Sequence, residues 1–174
     1  MNGYVYTEGN ALVRRYDDET MRIEACGEDA LRVRITREAS FPDNDWALIT
    51  PPESTSRIEI TEEHASIAVG RLVGVVDQHG HLEFRDASGA RVLRERWLNR
   101  DDENHRVSLM YPGRELRPIL GGKYSATLTL EAYDDEKIYG GGQRQIPYLD
   151  LKGCDLELAQ RNSQASIPFV VSNR

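Results

Sequence analysis

The stretch MRIEACGEDALRVRIT, Met21–Thr36, alternates apolar and charged side chains twice, with a turn-forming break at its centre. Side chains two apart on a strand share a face, so the pattern predicts a β-hairpin with one buried and one wet side. Leu31, Val33 and Ile35 fall on the buried side and Arg32 and Arg34 on the wet one. The same grammar runs outward along the chain. Ile58-Glu-Ile60 alternates, and Ala65–Val76 reads as one or two strands around Gly70. Asp77-Gln-His-Gly80 is a tight turn that returns as Leu82-Glu-Phe84, and Asp86-Ala-Ser-Gly89 is another. Tyr124–Tyr133 is the longest clean strand, followed by Leu149–Lys152, Leu156–Leu158 and Ile167–Val171. Ser40–Ser56 carries three prolines and reads as a loop in which Trp46 could serve as an anchor, and Tyr111–Gly122 is punctuated by proline and glycine. Val92–Arg100 is the best helix candidate, with Leu93, Trp97 and Leu98 near one face, although so short a run also suits a strand. Many short strands separated by Gly and Pro turns define an all-β class, an antiparallel sandwich or barrel. Strands do not alternate with long helices, which argues against a parallel sheet.

The chain has 174 residues, 39% hydrophobic and 29% charged, enough for one domain with its own core. Lys and Arg total 22 against 29 Asp and Glu, a net charge of −7, and the basic residues are scattered. A field of that sign repels phosphate backbones, so no nucleic-acid partner is expected. No apolar run approaches the roughly 18 residues of a membrane span, and the start MNGYVYTEGN does not read as a secretory signal. Cys26 and Cys154 form no CxxC pair and read as free thiols of a cytoplasmic protein.

Each pattern that could carry chemistry also has a plain structural reading. Ile138–Gln145, IYGGGQRQ, has the glycines of a phosphate loop, but Pro147 and the Leu149-Asp-Leu151 alternation predict a strand after it, not a helix. A tight backbone crossing explains the glycines better. His79 and His81 have the spacing of a chelating strand pair, but Gly80 between them points to a solvated turn, with His64 and His105 remote in sequence. The acid runs at Asp17, Asp101 and Asp134 read as solvated charge, and Ser163 and Ser166 have no evident histidine partner.

The run YDDEKIYGGGQRQIPYLDLKGCDLELAQRNSQASIPFVVSNR, Tyr133–Arg174, resembles the N-terminal β-sandwich of glycoside hydrolase family 31, the α-glucosidase and α-xylosidase family. Glu136, Tyr139, Gly140, Gly142 and Gln143 match its acidic approach and Tyr-Gly-x-Gly-Glu/Gln run. Lys152, Gly153, Ile167, Pro168, Phe169, Ser172 and Arg174 match the later Lys-Gly, Ile-Pro-Phe and Ser-x-Arg steps. Gly141 departs from the larger apolar residue common there.

The resemblance implies a galactose-mutarotase-like supersandwich over residues 1–174, a single domain leading into a (β/α)8 barrel that lies outside this chain. It implies retaining hydrolysis of α-glucosides or α-xylosides by two aspartates of that barrel, with no cofactor and no metal. This chain would be inert alone and would reach carbohydrate through the parent enzyme. Its bare strand edges would favour self-association. The family's sandwich can lend a loop to the substrate pocket, and by position that loop is Gln160, Arg161, Asn162 and Ser163, whose polar groups suit sugar hydroxyls. A plain solvated turn is the alternative there. Trp46 and Trp97 could stack on sugars, although core or anchor roles suit both. Two other functions stay open: a free-standing carbohydrate-binding sandwich, and a mutarotase-like epimerase using His64 or His105 with a glutamate.

Overall fold

The computed structural model describes residues 3–42, 49, 52–98 and 111–174. All regular structure among them is β. The strands are β1 Tyr4–Glu8, β2 Ala11–Tyr16, β3 Glu19–Ala25, β4 Leu31–Thr36, β5 Arg57–Ile60, β6 His64–Val69 and β7 Leu72–Asp77. They continue with β8 Leu82–Arg85, β9 Arg91–Arg94, β10 Arg114–Ile119, β11 Lys123–Leu128, β12 Ile138–Gln143 and β13 Ala165–Ser172. The chain divides into two compact units, Met1–Glu131 and Ala132–Arg174.

The first unit holds a four-stranded meander, β1-β2-β3-β4, a five-stranded meander, β5 to β9, and the β10–β11 hairpin. Every pairing is antiparallel. Register decides which side chains meet. Met21 faces Ile35, Ile23 faces Val33 and Ala25 faces Leu31 across β3–β4, while Leu12 faces Ile23 across β2–β3. These apolar faces meet Ala65, Ile67, Val69, Val76 and Leu82 of the second meander in a shared core. Fully burying each large aliphatic side chain contributes about 1.5–3 kcal/mol, so the core fixes the register strongly. A slip of one residue would bury Arg22, Glu24, Arg32 and Arg34 instead. On the outer face Glu24 joins Arg22 at 2.9 Å, Arg34 at 2.8 Å and Arg32 at 3.9 Å. The alternation in Met21–Thr36 therefore marks the two faces as the sequence predicts.

Other expectations are corrected. Val92–Arg100 is not helical where it is described: it enters β9 and continues through bridges from Glu95 to Leu130 and from Leu98 to Tyr111. Its backbone bonds run sideways, with Glu95 N–H donating to Leu82 O at 2.9 Å and Arg96 N–H to Thr129 O at 2.8 Å, and cross-strand pairing overrides the helical spacing. β1, β2 and β10 emerge where no strand is evident in the sequence, β10 despite Pro118, which an edge strand tolerates. The strand at Tyr124 ends at Leu128, and the longest strand is β13, with 8 residues.

The second unit is built on β12 paired with β13. Gly140 and Gly142 lie in β12 at a register shift, with φ of 114° and 95°. A Cβ on Gly140 would sit 2.3 Å from Phe169 O, and one on Gly142 2.0 Å from Ala165 O. The glycines thus serve a β-bulge pressed against its partner strand, not an anion site. The runs at Leu149–Lys152 and Leu156–Leu158 are irregular, not strands. The Asp150 carboxylate accepts the N–H groups of Ile138 and Lys152, each at 3.1 Å, and this local bonding replaces a ladder.

Candidate functional site

Gln160, Arg161, Asn162 and Ser163 lie together in the exposed turn that leads into β13. Their polar groups are unequally committed. The Gln160 side-chain amide donates to Ser166 O at 2.9 Å and accepts from Ser166 N–H at 3.2 Å, which spends it on β13. Arg161 is ion-paired with Glu157 four residues back along the loop. Asn162 and Ser163 form the tip, and Ser163 holds a left-handed φ of 66°. Arg144 props the turn from beneath. Its guanidinium donates to Glu157 O at 2.9 Å, Ser166 Oγ at 3.2 Å and Gly141 O at 3.3 Å, joining the bulge, the loop and β13. The sequence reading missed the role of Arg144; the one available signal was an arginine two residues past a glycine run.

Four of the family-matching residues, Glu136, Lys152, Ser172 and Arg174, converge on one knot in the second unit. Glu136 accepts the Ser172 hydroxyl at 2.5 Å and Tyr133 N–H at 3.1 Å, and these bonds hold its carboxyl below the usual range. Lys152 Nζ donates to Tyr133 O and, at 2.8 Å, to Asp134 O. Arg174 pairs with Asp135 at 2.7 Å, lowering that carboxyl as well, and lies 4.1 Å from the Tyr133 ring centroid. The acid run at Asp134 is therefore built into this knot through Asp135 and Glu136.

In the first unit a buried ionic cluster replaces several sequence expectations. Glu95 is only 2% exposed. It accepts Arg114 at 2.7 Å, Leu82 N–H at 3.0 Å and Trp97 Nε1 at 3.0 Å. Arg114 also reaches Glu19 at 2.9 Å and Gly80 O at 3.1 Å. Burial works against the Arg114 charge, and Glu95 and Glu19 more than offset it, so its pKa is raised. Trp97 is accordingly a structural residue, stacked on His81 at 4.3 Å. His79 is exposed, as a solvated turn requires, whereas His81 is half-buried and pairs with Asp77 at 2.9 Å. Burial alone would push the Asp77 carboxyl up, but the His81 ring and the N–H groups of His81 and His79 hold it at about 2. His64 turns to Thr61 at 3.4 Å. Among the described residues no group of three His, Cys, Asp or Glu could hold a metal ion. Asp18 of the first acid run pairs with Arg37. Trp46, His105 and the acid run at Asp101 lie outside the described residues.

The described residues define an all-β class, antiparallel meanders and a glycine-bulged hairpin. The model of the glycosyl hydrolase 31 N-terminal galactose mutarotase-like domain matches residues 20–174, and the chain belongs to that family. An uncharacterized family 31 glucosidase from Pseudescherichia vulneris is 40% identical over 94% of this chain, which spans 33% of that protein. A family 31 α-xylosidase from a soil metagenome, solved with xylose, is 40% identical with a TM-score of 0.90, over 98% of this chain and 26% of its own. The family 31 α-xylosidase of Xanthomonas citri, 23% identical with a TM-score of 0.70 over 98% of this chain and 17% of its own, shares the fold.

Proposed function

We propose that this chain is the non-catalytic N-terminal domain of a retaining α-glycosidase of the α-glucoside or α-xyloside class. In this reading residues 1–174 support a catalytic (β/α)8 barrel and lend the 160–163 turn to its substrate pocket. The observation that carries it is the family match over residues 20–174, together with relatives of which the chain spans only 33% and 26%. The turn favours the role chemically. Gln160 and Arg161 are held by β13 and Glu157, while the tip residues Asn162 and Ser163 keep amide and hydroxyl groups for sugar hydroxyls. Both cysteines are free thiols, which suits the reducing cytoplasm we propose for it.

The test is a chimera in which this chain replaces the N-terminal domain of the soil-metagenome α-xylosidase. The 174-residue chain alone should not hydrolyse aryl α-xylosides or α-glucosides, and the chimera should. Replacing Asn162 and Ser163 by alanine in the chimera should raise KM by about 3–10-fold with little change in kcat, the mark of lost binding contacts. Hydrolysis by the isolated chain would refute the non-catalytic reading. An unchanged KM would remove the turn from the pocket.

A further inference from the structure

The first unit contains a recess of about 650 Å³ that the α-glycosidase reading does not use. It lies between the β2–β3 turn (Tyr16, Asp17, Asp18, Glu19), the β7–β8 turn (His79, His81) and the start of β10. That volume is in the range of small-molecule sites. Its walls are fixed by the buried cluster already described. Arg114 is 8% exposed and Arg14 4%, and both line the recess. Arg37 ties the β2–β3 turn to β10 by pairing with Asp18 and donating to Leu116 O at 3.0 Å. A site whose polar groups are already held in place loses little freedom when a ligand enters.

The lining selects the ligand. It counts four arginines and four carboxylates, a balanced set that gives no net attraction to a phosphate or a metal ion. It offers donors and acceptors side by side, which suits a molecule whose every polar group both donates and accepts. Sugar hydroxyls do this. Tyr16 adds an apolar surface. The residue is 45% exposed and its ring centroid lies 5.1 Å from the Arg14 guanidinium, so a cation backs a side chain that is still open to solvent. A pyranose ring presents C–H groups on its face, and an open aromatic face is their usual complement. Asp17 stands at the rim with a left-handed φ of 52°, a conformation that glycine would hold more easily.

We propose that this recess is a saccharide-binding site that takes one ring of a neutral sugar, stacked on Tyr16 and hydrogen-bonded by Asp17 and Arg37, with Arg114 holding the wall behind them. It rests on the recess alone and stands whether or not the 160–163 turn serves a substrate pocket.

The test is an amide-resolved NMR titration of the 174-residue chain with methyl α-xyloside, methyl α-glucoside, sodium glucuronate and inorganic phosphate. Saturable shifts at residues 16–19, 79–81 and 114–117 with a neutral glycoside, at millimolar affinity, are expected. Tyr16→Ala should weaken them by about tenfold, the loss of one stacked contact. Asp17→Gly should weaken them too while keeping or raising the melting temperature, since glycine suits that φ; this variant guards against a misfolded Tyr16→Ala. No saturable shift at these amides, shifts confined to residues 160–166, or a response to glucuronate or phosphate but not to the neutral glycosides would each overturn the assignment.

Discussion

Removing the Glu95 carboxylate would leave the Arg114 guanidinium buried with Glu19 as its remaining anionic partner, and would strand Leu82 N–H and Trp97 Nε1. Breaking a buried ion pair from one side costs about 3–5 kcal/mol, because the surviving charge stays desolvated. Glu95→Ala should lower the unfolding free energy by that amount in a urea titration; a loss under about 1 kcal/mol would show that the cluster does not hold the first unit together. Asp77 acts through pH. Its native pKa of about 2 lies below the ordinary 3.8, so the folded state holds that proton less tightly than the unfolded chain. The resulting stabilisation is complete above about pH 4 and is lost as pH falls through about 2. Its side chain is 40% exposed and solvent screens it, so the contribution is about 1 kcal/mol. Asp77→Asn should therefore lower stability at neutral pH and flatten its decline over that acid window. Urea midpoints at neutral and acid pH would check this, and parallel curves for the two proteins would refute it.

At the scale of elements, Arg144 ties the irregular loop of the second unit to its β12–β13 ladder. Arg144→Ala removes three hydrogen bonds that join the glycine bulge, the 157–166 loop and β13. A local loss of about 1.5–3 kcal/mol is expected, seen as about tenfold or faster amide exchange at Ser166 with the first unit unaffected. Unchanged exchange there would mean that the loop holds its shape without the arginine. Arg144 also shows where the sequence stopped being legible. Alternation revealed β3, β4, β6, β7 and β8 because each has one apolar face against the shared core, and a period of two survives in the residue order. The bulge could be read from its glycines, since a Cβ at Gly140 or Gly142 would strike the partner strand. At Val92–Arg100 helix and strand both stayed open because Glu95, a charged residue, occupies a core position and breaks the apolar pattern. The candidate turn was found through a family likeness rather than through periodicity. Its support by Arg144, and the meeting of Arg14, Glu19 and Arg114 from distant strands, are facts of tertiary placement that no local spacing encodes.

For the molecule as a whole, the open question is what covers β13. Ile167, Phe169, Val170 and Val171 are 53%, 62%, 64% and 46% exposed, a dense apolar set for one strand. Among the described residues β13 pairs only with β12, so it is also an edge. An exposed apolar edge recruits other chains unless something is laid against it. Two of our proposals meet here: the isolated chain should self-associate through this strand, and a catalytic barrel should cover it in a full enzyme. Sedimentation velocity should show the 19.8 kDa species shifting to larger ones as concentration rises. Val170→Lys, which puts a charge on the edge, should return it to a monomer. The same substitution should act in the opposite sense in the α-xylosidase chimera, lowering its melting temperature, because there a lysine would be pressed into a dry interface and must shed its hydration. A single monomeric boundary at every concentration would end the self-association reading. If Val170→Lys left the chimera as stable as before, the barrel does not rest on β13.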